Sequence, residues 1–145
     1  MKPLILILSL FFSLAAFGQN LSYTKVDGED LVYILNNLEK LSTYKSDSST
    51  LYVTIYSVPN HSGSAGLPSS EVTNSIYIAV SEYGELPNQN LFRLSDVYNP
   101  KFIKWISSKN EPSFILTYGT YNNREKATIK VKLDSLSILV KEVKK

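Results

Sequence analysis

Ser113-Phe114-Ile115-Leu116-Thr117-Tyr118-Gly119 and Arg124-Glu125-Lys126-Ala127-Thr128-Ile129-Lys130-Val131-Lys132-Leu133 are two strand-like runs joined through Asn122-Asn123. Asparagine tolerates the positive φ angles of a two-residue hairpin turn, so the stretch reads as a β-hairpin. Closing that turn pairs Tyr121 with Arg124, and predicts Tyr118 opposite Ala127, Leu116 opposite Ile129 and Phe114 opposite Val131. The apolar sets of both strands then share a face. A slip of one residue would turn one set to the wrong side, so the agreement supports the pairing. The opposite face carries Lys126, Thr128, Lys130 and Lys132 beside Ile115 and Thr117.

Upstream, Leu51 to Tyr56 and Ser75 to Val80 are short, rich in β-branched and aromatic residues, and bounded by turn formers, which predicts two more strands. The Ser- and Gly-rich residues 59–74 between them form a long connection of the kind that is either functional or merely mobile. Phe102 to Ile106 has the aromatic and β-branched content of a strand, although Asn99 and Pro100 would also suit a helix start. Leu21 to Val26 would make a short first strand.

Two helices are predicted. Leu31, Ile34, Leu35, Leu38 and Leu41 recur at helical spacing after Asp27-Gly28-Glu29-Asp30, with Asp27 as N-cap and an end near Ser42 or Thr43. After Leu133, Asp134 or Ser135 would cap a short C-terminal helix with Leu136, Leu139, Val140 and Val143 as its stripe. The fold class expected is therefore α+β: an N-terminal helix packed on one antiparallel sheet of about five to seven strands, with a possible short C-terminal helix.

The leader decides location. Lys2 precedes an uncharged apolar run ending in Ala16-Phe17-Gly18, whose small residues fit a signal-peptidase site and set Gln19 as the mature N-terminus. The apolar part is shorter than the roughly 20 residues that cross a bilayer, which disfavours an uncleaved anchor. Residues 1–18 are thus read as a signal peptide, and 19–145 as one exported domain, periplasmic or extracellular. With no cysteine in the chain, disulfides and lipid attachment at a cysteine are excluded.

Without Lys2, the chain has 14 Lys and Arg against 13 Asp and Glu, so net charge gives no case for nucleic acid. Basic residues do concentrate from Arg124 onward, where only Glu125, Asp134 and Glu142 oppose them.

Catalytic patterns are weak. His61, the only histidine, lies in Asn60-His61-Ser62-Gly63-Ser64-Ala65-Gly66, which lacks the Gly-x-Ser-x-Gly spacing of a nucleophile elbow. One histidine and no cysteine leave scattered carboxylates as metal ligands, and no Gly-rich run precedes a helix as a phosphate loop requires. Asp27, Glu29 and Asp30 fit helix capping better than calcium binding. No cofactor and no catalytic or metal site is expected.

The lysine face of the hairpin, Lys126, Lys130 and Lys132 with Arg124 at the turn, is the candidate partner-binding site, facing an acidic protein or an anionic envelope component. Lysines on strands also deter edge pairing, so the feature has a structural reading too. Tyr52, Tyr56 and Tyr77 would suit a sugar- or protein-binding sheet surface, or simply a half-buried sheet. The leading functional expectation is a non-catalytic binding module of the envelope or extracellular space: an inhibitor, immunity-like or accessory protein. A carrier of a small apolar or sugar ligand between helix and sheet is the alternative, and an enzyme using His61 ranks last.

Overall fold

Val53, Ile55, Ile76, Ile78, Phe114, Leu116, Ile129 and Val131 stand at alternate positions along four strands and are all fully buried. Each such side chain contributes about 1.5–3 kcal/mol relative to its exposed state. In the computed structural model they form one core shared by two antiparallel sheets. The structure describes residues 28–45, 50–60, 73–106, 111–120 and 122–142. The predicted first strand, Asp27, His61, most of the 59–74 loop and the leader lie outside them.

Among the described residues a short helix α1 (Glu29–Asn37) precedes eight strands. The first sheet has the order β1 (Glu39–Tyr44), β2 (Leu51–Pro59), β3 (Thr73–Glu82), β4 (Gln89–Tyr98); the second has β5 (Lys101–Ile106), β6 (Ser113–Gly119), β7 (Arg124–Val131), β8 (Leu136–Glu142). Every neighbouring pair is consecutive in sequence and antiparallel. The sheets are joined at one edge, where Trp105 of β5 packs 5.1 Å from Tyr44 of β1 and its indole N–H donates to Ser42 Oγ at 2.9 Å. Phe102 and Phe114 complete this aromatic cluster, at 5.6 and 5.4 Å from Trp105.

The expected single sheet with a helix across it is thus corrected: the described chain is mostly β, in two four-stranded sheets. Three local decisions account for the difference. The N-terminal helix stops at Asn37, where the Asn37 side chain donates back to the Tyr33 carbonyl at 2.9 Å and Leu38 is already extended. Residues 39–44 then pair with β2, because strand pairing carries Tyr44 and Leu41 into the core. Gly28 occupies the N-cap position of α1, with no side-chain cap hydrogen bond among the described residues. The helix lies over one end of β2, where the Tyr33 hydroxyl donates to the Pro59 carbonyl, while Leu31 and Leu35 remain exposed.

The expected C-terminal helix is the strand β8. Leu136, Ile138 and Val140 pair with Val131, Ile129 and Ala127, and Asp134-Ser135 form a turn in which the Lys132 N–H donates to the Ser135 carbonyl at 3.0 Å. Phe102 to Ile106 is strand, as expected, whereas β4 has no counterpart in the sequence reading.

The 113–133 hairpin is present with its faces as predicted: Phe114, Leu116, Ile129 and Val131 are buried, while Lys126, Lys130 and Lys132 are exposed. Its register differs by two residues. Phe114 opposes Ile129, Leu116 opposes Ala127 and Gly119 opposes Arg124, so the connection has four residues, 120–123. Gly119 takes the positive φ of +111°. A shift of two preserves which face each side chain occupies, so the apolar sets still coincide.

Candidate functional site

Register and alternation fix the outer face of the second sheet. In β7, Ala127, Ile129 and Val131 point into the core, which turns Lys126, Thr128 and Lys130 outward. Their ladder partners follow: Thr117, Ile115 and Ser113 on β6, Lys141, Leu139 and Ser137 on β8, and beyond β6 Lys101, Lys104 and Ile106 on β5. The outward positions of the four strands therefore carry Lys101, Lys104, Lys126, Lys130 and Lys141 and no acid. All five lysines are exposed.

One row, Lys101–Thr117–Lys126–Lys141, crosses the whole sheet. Within it Lys126 directly opposes Lys141. Like charges facing each other across an antiparallel ladder destabilise it, so this placement costs stability. Edge protection explains lysines on β5 and β8, but β7 is an interior strand, hydrogen-bonded on both sides. Apolar side chains lie among the cations: Leu139 is 59% exposed and Ile106 39% exposed, with Ile115 buried between the strands.

The four residues expected to bind a partner separate. Lys126 and Lys130 lie on the face itself. Lys132 lies just past β7 and pairs with Glu111 at 3.3 Å, both side chains well exposed, an interaction worth no more than about 1 kcal/mol. Arg124 is taken up structurally: its guanidinium donates to the Asn99 carbonyl at 2.9 Å, the Gly119 carbonyl at 3.0 Å and Thr117 Oγ1 at 3.2 Å. It ties the hairpin turn to the β4–β5 connection. Lys101, Lys104 and Lys141 belong to the face but were missed, because their membership depends on strand order. Lys101 adjoins the inward Phe102 and could have been read from alternation, but Lys104 turns outward only through the register shift between Phe102 and Lys104, which spacing does not show.

The inward side of the same hairpin holds a different pair. The Tyr118 hydroxyl donates to Glu125 Oε2 at 2.6 Å. That hydrogen bond, burial and the nearby carboxylate charge push the phenol up to about 12.

The outer face of the first sheet is built from other chemistry. Tyr52 and Tyr56 of β2, Tyr77 of β3 and Arg93 of β4 point outward, and Lys40, Tyr56, Tyr77 and Arg93 make one row across the four strands. A cleft of about 360 Å³ opens between this face and α1, lined by Asp30, Tyr33, Asn60, Ser75, Tyr77, Arg93 and Asp96 together with apolar Ile34, Val58 and Pro59. The carrier expectation placed a ligand in this position, and the polar lining is unlike a site for apolar cargo.

Among the described residues no cluster of His, Asp or Glu has the geometry of a metal site, and no helix is long and apolar enough to cross a membrane. No family model, curated protein or solved structure matches the chain.

Proposed function

We propose that the protein is an exported, non-catalytic binding module that docks an acidic protein surface on the outer face of its second sheet. The observation that carries this reading is the like-charged row: Lys126 on the interior strand β7 opposite Lys141 on the edge strand β8, with three further lysines and no acid at the outward positions of the four strands. Edge protection leaves Lys126 and Lys130 of the interior strand unexplained, and a placement that costs stability there finds its compensation in a partner. The exposed Leu139 and Ile106 among the lysines favour a protein over a bare polyanion, since protein interfaces combine an apolar centre with a charged surround. Export rests on the leader, residues 1–18, and gives Gln19 as the mature N-terminus.

The test is chemical crosslinking in the native envelope fraction with wild type and the double variant Lys126→Glu/Lys130→Glu as parallel baits. A discrete acidic protein crosslinked by the wild type, lost in the variant and lost at high salt supports the reading. Equal crosslinking by both baits, or retention of polysaccharide alone, overturns it.

A further inference from the structure

We propose that the outer face of the first sheet is a second, separate binding site, for a neutral saccharide, with one sugar ring seated in the cleft between α1 and the sheet. The cleft wall is already organised. Ser75 Oγ, on a fully buried residue, donates to Asn60 Oδ1 at 2.8 Å and accepts from Arg93 Nε at 3.1 Å and Nη2 at 3.0 Å. Asn60 Nδ2 in turn donates to Thr73 Oγ1 at 2.8 Å and Asp96 Oδ1 at 3.2 Å. Arg93 lies over the Tyr77 ring, 5.8 Å from its centroid. Its guanidinium is thus oriented from one side while the residue stays exposed, and Nη1 has no hydrogen-bond partner among the described residues.

The charges select the ligand. A net anion brought to Arg93 would meet Asp30 and Asp96, and a net cation brought to those carboxylates would meet Arg93. A pyranose hydroxyl donates and accepts at once, so neighbouring hydroxyls can accept from Arg93 and donate to Asp96 without a net charge being buried. Asp96 reaches this position through a β-bulge opposite Ser75, at φ 56°, and bulges serve to re-aim a side chain.

Beyond the Tyr56–Tyr77 pair the same face continues into a second cleft of about 430 Å³, lined by Tyr52, Thr54, Tyr56, Ser81, Gln89 and Asn90 among others. Tyr52 and Tyr56 are four residues apart on β2, about 13 Å at the strand rise, which leaves room for more than one ring. Tyrosine rings offer apolar faces to sugar C–H groups, and the flanking amides and hydroxyls meet the sugar hydroxyls. Both clefts lie on the opposite sheet from the lysine face, so this inference stands independently of the proposed function.

The experiment is a screen of the mature protein on an array of neutral and acidic glycans, followed by NMR titration with the best neutral oligosaccharide. The expected result is binding of neutral glycans, with shifts at Tyr56, Tyr77 and Arg93, a loss of affinity of about tenfold or more in Arg93→Ala and in Tyr56→Ala, and none in Lys126→Glu. Should either variant fail to fold, the wild-type shift map decides. Binding to acidic glycans only, shifts confined to the lysine face, or no glycan binding at all overturns the proposal.

Discussion

Ile129 and Ile138 provide a paired test of the packing, because they are the same residue type, face each other across the β7–β8 ladder and point toward the core side of the second sheet. Ile129 is 0% exposed and Ile138 48% exposed. Truncation to Ala removes three carbons, about 2.4 kcal/mol of transfer free energy at about 0.8 kcal/mol each. At Ile129 the full amount is lost and a cavity is left, giving about 3–4 kcal/mol in total. At Ile138 roughly half the transfer free energy applies and solvent fills the space, giving about 1 kcal/mol. Any cost in strand propensity enters both variants and largely cancels in the difference. Trp105, the only tryptophan, packs among Tyr44, Phe102 and Phe114 and reports unfolding directly. Urea denaturation followed by its fluorescence should therefore separate Ile129→Ala from Ile138→Ala by about 2–3 kcal/mol at equal m-values. Equal losses at the two positions would refute the arrangement of the second sheet.

Tyr44 is buried and its hydroxyl has no hydrogen-bond partner among the described residues, so Tyr44→Phe should leave stability unchanged or raise it by up to about 1 kcal/mol in the same denaturation assay. Gly119→Ala would drive a Cβ into the Asn123 carbonyl oxygen at a φ of +111°, and should lower stability by more than about 1 kcal/mol, measured as a fall in Tm. Because the Tyr118 pKa is raised to about 12, above its unfolded value, the Tyr118–Glu125 pair contributes stability fully below pH 10 and loses it as pH rises toward 12. Glu125→Gln should bring the Tyr118 titration back toward about 10 in an ultraviolet difference titration and remove that alkaline loss.

Alternation made the 113–133 hairpin legible, but only to within two residues of register. An even slip leaves every side chain on its own face, so pattern could not separate the Asn122-Asn123 turn from the longer connection closed at Gly119. Residues 136–143 satisfy a helical stripe through Leu136, Leu139 and Val140 and an alternation through Leu136, Ile138 and Val140 at once. The free edge of β7 decides for the strand, an interaction invisible to local spacing. β4 escaped notice because the bulge at Ser95-Asp96 interrupts its alternation between Leu94 and Val97.

The same physics governs the candidate sites. Lys126 adjoins the buried Ala127 and Lys130 lies between the buried Ile129 and Val131, so both could be read from one strand, whereas Lys101, Lys104 and Lys141 join them only through ladder order. Arg124 looked like a fourth surface cation until three oxygen acceptors accounted for its guanidinium. The cleft residues Asn60, Ser75, Arg93 and Asp96 come from β3, β4 and the end of β2 and share no local motif, so no spacing rule could have grouped them.

Salt dependence of the complex with the crosslinked partner is the most direct measure of the lysine-face reading, with wild type and Lys126→Glu/Lys130→Glu compared from about 0.1 M to about 1 M salt, over which the Debye length shrinks from about 10 Å to about 3 Å. Wild-type affinity should fall by about tenfold or more across that range, and the charge reversal should slow association and flatten the salt response. The variant's Tm should hold or rise, since Lys126→Glu replaces the Lys126–Lys141 repulsion with attraction worth about 0.2–1 kcal/mol. Wild-type affinity that is indifferent to salt and shared by the variant would contradict the account.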